Sequence, residues 1–224
     1  MADINEPTQK REIEKKLLQK IIDKPVSHLI KYKVSPNFLS FGGFLSSLAA
    51  GILISLGFIH GNFFLAWIVP ILIIVSGVLD VFDGEVARQT GKVSPEGSFL
   101  DSNIDRISDS VIIFGLIYGN LVGFIEGFLI LFLVIMISYT RSRAEIEGVN
   151  MKGVGFLERA ERMIILIVGI IIEIYVYAIT LWLTGDPFEY FFPIFIKCFI
   201  IALIFTLAQR FIHIRKSLKN VSIK

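Results

Sequence analysis

The chain carries one cysteine, Cys198, in 224 residues. That excludes an intrachain disulfide, and its apolar neighbours mark it as a small core or lipid-facing residue. Histidine is also scarce: His28, His60 and His213 share no ligand-like spacing, and no site is assigned to them. The first 35 residues are polar and charged, without a short apolar core and a small-residue cleavage site, so no signal peptide is expected. The net charge is only +2, and no nucleic-acid partner is expected. No internal repeat calls for two domains. Three short segments, 60–62, 120 and 184–190, hold no lysine or arginine, although the chain has 22.

What is abundant is apolar. Hydrophobic residues make up 54% of the chain, and the mean hydropathy is +0.71. A soluble domain reaches about 45–50% apolar only when glycine is counted too, so this chain belongs in a membrane. A span needs about 20 mostly apolar residues. Six candidates follow in order: 38–59, 63–79, 99–119, 121–139, 163–183 and 191–212. The second is expected to continue as helix through Asp83 to Ala87. Ahead of them, residues 9–24 place Ile13, Leu17, Leu18, Ile21 and Ile22 at helical spacing, with lysines and Arg11 on the other faces. That pattern fits an amphipathic helix on the membrane surface, or one packed on protein. The expected fold is all-α: an integral membrane bundle of six transmembrane helices with an N-terminal amphipathic interfacial helix. Residues 1–34 form the cytoplasmic segment and 35–224 the membrane domain.

Lysine and arginine set the orientation. Eight lie in the N-terminal segment, two between the second and third spans, five between the fourth and fifth, and five at the C-terminal end. The alternate connections carry none. Both termini, and everything at that level, are therefore expected to face the cytoplasm, with the cell membrane as the location.

At that level stands an acidic stretch, Asp80-x2-Asp83-Gly84-x2-Ala87-Arg88-x8-Gly97-x3-Asp101-x3-Asp105. Carboxylates at membrane depth are costly and mark function. Asp80 and Asp83 share one helix face, as do Asp101 and Asp105. Two such faces meeting would crowd four carboxylates, which need a cation to remain ionised together. Hard oxygen donors favour Mg²⁺ or Mn²⁺. Two ions about 3.5–4 Å apart would brace an in-line phosphoryl displacement. Asp80, Asp83 and Asp101 are the expected main ligands, with Asp105 also near a metal. Gly84 and Ala87 leave room for a nucleotide or diphosphate, or serve close helix packing. Arg88 offers a forked contact to a diphosphate, or anchors the cytoplasmic edge. Asp109 extends the Asp101–Asp105 face and is placed beside Arg106.

This stretch resembles the signature of the CDP-alcohol phosphotransferase family, D-x2-D-G-x2-A-R-x8-G-x3-D-x3-D, at every fixed position. The resemblance implies that Asp105 takes the proton from an acceptor hydroxyl while CMP leaves a CDP-linked lipid. It extends upstream: Ser35-Pro36-Asn37-x2-Ser40 is similar to the family's Pro-Asn-x2-Thr entry, which implies Asn37 and Ser40 beside the nucleotide diphosphate. Plain N-capping by Ser35 or Asn37 is the other reading.

Downstream, Ser138, Arg141 and Arg143 close the fourth span, Arg159 and Arg162 open the fifth, and Gln209-Arg210 ends the sixth. Convergent arginines bind phosphate, although Glu158 and Arg162 are also spaced for a helical ion pair. The segments 138–145 and 155–162 resemble the branch of the family that makes phosphatidylinositol phosphate or archaetidylinositol phosphate. That implies inositol 1-phosphate as acceptor, held by Ser138, Arg141, Arg159 and Arg210, with arginine at 141 where lysine is frequent. The family's habit also implies a homodimer. Glycerol 3-phosphate or another alcohol is the second reading, and a divalent-cation carrier the third. The lipid tail is left open between archaeol and diacylglycerol.

Overall fold

The computed structural model describes residues 22–221, and among them the chain is all helical, without a strand. Helix α1 covers 22–31. It is followed by α2 (Pro36–Ser55), a 3-10 turn (Phe58–His60), α3 (Phe63–Ala66) and α4 (Ile68–Gln89). Then come α5 (Pro95–Tyr118), α6 (Phe124–Ile146), α7 (Arg159–Thr184) and α8 (Phe191–Val221). The amphipathic helix expected over 9–24 lies outside the described residues up to position 21. Residues 22–24 belong to α1, which lays Val26 against Leu39 of α2 and Val86 of α4.

Five described helices are long and apolar enough to cross a membrane: α2, α3 with α4 (Phe63–Gln89), α6, α7 and α8. Their outward faces keep large apolar side chains in the open, with Trp182 83% and Ile125 80% exposed. That pattern suits lipid rather than water as the surrounding solvent. Helix α5 occupies the expected third span and has 24 residues, which gives about 36 Å at 1.5 Å each. Asp101, Asp105, Arg106 and Asp109 make it too charged to count with the other five.

Three helices form the inner frame. Ser35 caps α2 by accepting from the Phe38 N–H, and Pro36 takes the first position, where no N–H is needed. Helices α2 and α5 cross through Gly51 and Gly115; a Cβ on Gly115 would lie 2.5 Å from the Gly51 carbonyl oxygen. Small residues permit that approach in membranes. Ser47 and Ser76 hydrogen-bond at 2.7 Å and tie α2 to α4. This frame sets the end of α4, the start of α5 and the start of α2 side by side.

The fourth apolar span is expected to end at Tyr139, and helix α6 runs past it to Ile146. Arg141 pairs with Glu145 at 3.0 Å and Arg143 with Glu147 at 2.5 Å, so the helix persists in a polar setting. The open alternative at the start of α7 also resolves. Glu158 does not pair with Arg162; it caps α7 in a capping box with Glu161.

Candidate active site

The acidic motif closes on itself. Asp80 comes from the second half of α4, and Asp101 and Asp105 from the first half of α5. One carboxylate oxygen from each lies within 4.8 Å of the others. Asp83 stands beside this trio and is 5% exposed. Its Oδ2 accepts a 2.5 Å hydrogen bond from Ser40 Oγ on α2. All four carboxylates line one void of about 10 Å³, close to the volume of a single water-sized sphere. Oxygen donors at this spacing fit a small hard cation, because ligands on one Mg²⁺ sit about 2.0–2.1 Å from it.

Arg159, at the first turn of α7, enters the same cluster. Its Nη1 lies 2.9 Å from Asp80 Oδ2 and 2.8 Å from Asp105 Oδ1. Its Nε is 3.6 Å from Asp109 Oδ1. Asp109 also stands 3.6 Å from Arg162 and is buried. Asp109 therefore faces the two arginines of α7, not Arg106 as the sequence led one to expect. Arg106 instead donates to the Ser102 carbonyl one turn back.

Two cavities flank the cluster. The first, of about 480 Å³, is lined by Asn37, Ser40, Asp83, Gly84, Ala87, Arg88, Lys92 and Asp101 among others. Every residue expected to meet the CDP-lipid lines it. Ser35 does the capping of α2, so Asn37 is not spent there. A Cβ on Gly84 would meet only the Arg88 guanidinium, at 3.4 Å, so this wall is bare backbone. Arg88 is held by Glu85 through bonds of 3.0 and 2.8 Å.

The second cavity, of about 380 Å³, lies on the other side and is lined by Ser138, Arg141, Arg159 and Arg210, the four residues expected for the acceptor. Arg106 and Arg162 join them, so five guanidinium groups border one volume. Arg210 is buried at 3% exposure and donates to the carbonyls of Ile137 and Val154. Arg162 is one of the convergent arginines of the sequence but not one of the four that the family resemblance implies; its position three residues after Arg159, on one helix face, is the signal that places it here. Ser98 borders both cavities, Asp101 the first cavity and the void, and Asp105 the void and the second cavity. The acidic trio is thus the partition between them.

An arrangement of this kind suits group transfer between two phosphate-bearing molecules. Residues 33–221 match the model of the CDP-alcohol phosphatidyltransferase family. The archaetidylinositol phosphate synthase of Pyrococcus horikoshii is 42% identical over 156 residues, 67% of this chain and 79% of that one. The protein of that name from Methanothermobacter thermautotrophicus is 33% identical over 171 residues, 75% and 80% of the two chains. Phosphatidylinositol phosphate synthase PgsA1 of Mycobacterium tuberculosis shares the fold. Its crystal structure with CDP-DAG bound gives a TM-score of 0.68 at 24% identity, over 87% of this chain and 94% of that one. Its complex with manganese and citrate gives 0.66 at 25%, over 86% and 88%.

Proposed function

This chain belongs to the CDP-alcohol phosphatidyltransferase family, and from that premise we propose that it transfers a phosphatidyl or archaetidyl group from a CDP-activated lipid to inositol 1-phosphate. The observation that carries the acceptor is the second cavity, where Ser138, Arg141, Arg159 and Arg210 border the space next to Asp105. Guanidinium forks match phosphate oxygens in pairs. An alcohol carrying its own phosphate suits such a cavity, and a neutral alcohol would bring its guanidinium groups no anion. The synthases from the two archaea named above support the same acceptor.

The chain's residues divide the work. Asn37, Ser40, Gly84, Ala87 and Arg88 hold the nucleotide side of the CDP-lipid in the first cavity. Asp80, Asp83, Asp101 and Asp105 would hold divalent cations, Mg²⁺ or Mn²⁺ and two in number, which would supply positive charge to the phosphate groups. PgsA1 has manganese in its complex with citrate. Asp105, on the partition, accepts the proton of the acceptor hydroxyl. The acceptor oxygen bonds to the lipid-side phosphorus, the bond from that phosphorus to the bridging oxygen breaks, and CMP leaves with the bonding pair. Because one substrate is a lipid and the other soluble, the partition stands at the membrane edge. Helix α5 serves as a sixth span. Both termini and the site face the cytoplasm at the cell membrane, with 1–34 on its surface and 35–224 within it. Two copies form the working unit. Family membership removes the cation-carrier reading, since the family is one of transferases.

The test is an assay of purified protein with CDP-archaeol or CDP-diacylglycerol, Mg²⁺ or Mn²⁺, and one acceptor at a time. CMP release is expected with inositol 1-phosphate. Release with glycerol 3-phosphate and none with inositol 1-phosphate would reject the acceptor.

A further inference from the structure

Arg159 stands in two places at once. It borders the arginine-lined cavity, yet its Nη1 is engaged by Asp80 at 2.9 Å and Asp105 at 2.8 Å. Those two carboxylates belong to the acidic trio whose oxygens lie within 4.8 Å of one another. We infer that Arg159 is an exchangeable internal cation: it competes with a divalent ion for Asp80 and Asp105, and an acceptor's phosphate draws it away, so that phosphate and metal bind cooperatively. The inference rests on the reading of the two cavities given above.

Shared ligands decide the competition. The guanidinium nitrogen holds one oxygen each of Asp80 and Asp105, and an ion with ligands about 2.0–2.1 Å away needs those same oxygens turned toward itself. The void of about 10 Å³ beside them is lined by Arg159 as well as by the carboxylates. Charge decides the direction. A single positive group balances the crowded carboxylates less well than a divalent ion, and a phosphate dianion in the adjoining cavity offers the arginine a better partner.

The surroundings allow the move. Arg159 Nε is buried without a hydrogen-bond partner at 3.6 Å from Asp109 Oδ1, so the side chain is held mainly by its Nη1 contacts to Asp80 and Asp105. Arg162 keeps its own 3.6 Å approach to Asp109 when Arg159 leaves, so that buried carboxylate retains a counter-charge. Arg141, in the same cavity, is paired with Glu145 and touches none of the aspartates. Arg159 alone among these arginines couples the two places.

Coupling of this kind is reciprocal and spans about 5- to 150-fold in affinity. The experiment measures Mn²⁺ binding to the purified full-length chain by electron paramagnetic resonance, with and without saturating inorganic phosphate, corrected for Mn²⁺–phosphate complexation. Phosphate is expected to tighten Mn²⁺ binding to the wild type by about that range. Arg159→Gln is expected to bind Mn²⁺ tightly without phosphate and to lose most of the phosphate effect. Arg141→Gln is expected to weaken phosphate while its phosphate-free Mn²⁺ affinity stays at the wild-type level. Should Arg159→Gln not fold, Arg159→Lys, which keeps the charge but not the fork, is expected to bind Mn²⁺ without phosphate more tightly than the wild type. An unchanged Mn²⁺ affinity in the Arg159 variant, or an undiminished phosphate effect, would overturn the exchange. No Mn²⁺ binding to any of the proteins would overturn it together with the metal reading. Because the probe is inorganic phosphate, rejection of inositol 1-phosphate as acceptor leaves the exchange standing.

Discussion

The two ends of the helical bundle treat buried charge in opposite ways. At one end α4 finishes and α5 and α7 begin, and there Asp80, Asp83, Asp101, Asp105 and Asp109 meet Arg159 and Arg162 beside two cavities of about 480 and 380 Å³. At the other end a single carboxylate, Glu173, is 1% exposed. Its Oε1 lies 2.7 Å from His60 Nε2, and the His60 ring stacks on Tyr177 with centroids 4.3 Å apart. The cavity near the α5–α6 turn, about 360 Å³, is lined by Ile117, Tyr118, Asn120, Val122, Gly123 and Phe124, without an acid or a base. The difference teaches how to separate function from architecture. A lone carboxylate matched by one partner seals a helix junction. Carboxylates that outnumber their partners and border open space are built for something that arrives from outside.

Substitutions can break this contrast or sharpen it. The largest effect belongs to Asp105→Asn, which keeps the shape and removes the base. CMP release is expected to fall about 10²- to 10⁴-fold, with CDP-lipid binding retained; normal turnover would put Asp105 out of the role. Arg210→Ala comes next. It removes a charged donor from the acceptor cavity, worth about 1.5–3 kcal/mol, so the acceptor KM is expected to rise roughly 10- to 150-fold. The KM for CDP-lipid should hold. The variant also leaves the Ile137 and Val154 carbonyls without their donor, and a lower Tm is expected.

At the sealed end, His60→Ala is expected to lose about 1–3 kcal/mol of stability, because Glu173 is left buried without its partner. Both KM values should be untouched. Thermal unfolding in detergent, run beside the CMP assay, checks the split; a changed acceptor KM would mean the two ends are not separate. The smallest effect on stability is expected from Arg88→Ala, within about 0.5 kcal/mol. Its pair with Glu85 is an i,i+3 contact on an exposed side chain. Its readout is instead a raised KM for CDP-lipid alone.

Spacing made part of this legible. Intervals of three and four residues put Asp80 with Asp83 and Asp101 with Asp105 on common faces, and basic residues marked one level of the bundle. Contacts between distant positions were not legible, because periodicity speaks only of one helix at a time. Arg159 and Asp80 are 79 positions apart, and His60 and Glu173 are 113 apart. The first pair turned an expected phosphate ligand into a residue that also holds the carboxylates. The second gave a partner to a histidine that spacing had left idle. The end of α6 was not legible for another reason: hydropathy marks where the apolar span stops, at Tyr139, whereas Arg141–Glu145 and Arg143–Glu147 carry the helix beyond it. Ser40 was singled out for the diphosphate, yet its hydroxyl is bonded to Asp83, which makes it a link between the nucleotide cavity and the acidic motif.

The central claim is that the arginine-lined cavity reads a phosphate on the acceptor. Mass analysis of the lipid formed from one CDP-lipid, offered inositol 1-phosphate and free inositol in equal amounts, tests it most directly. The account predicts a product with two phosphorus atoms per lipid and almost none with one. A product with a single phosphorus, formed from free inositol as readily, would contradict it.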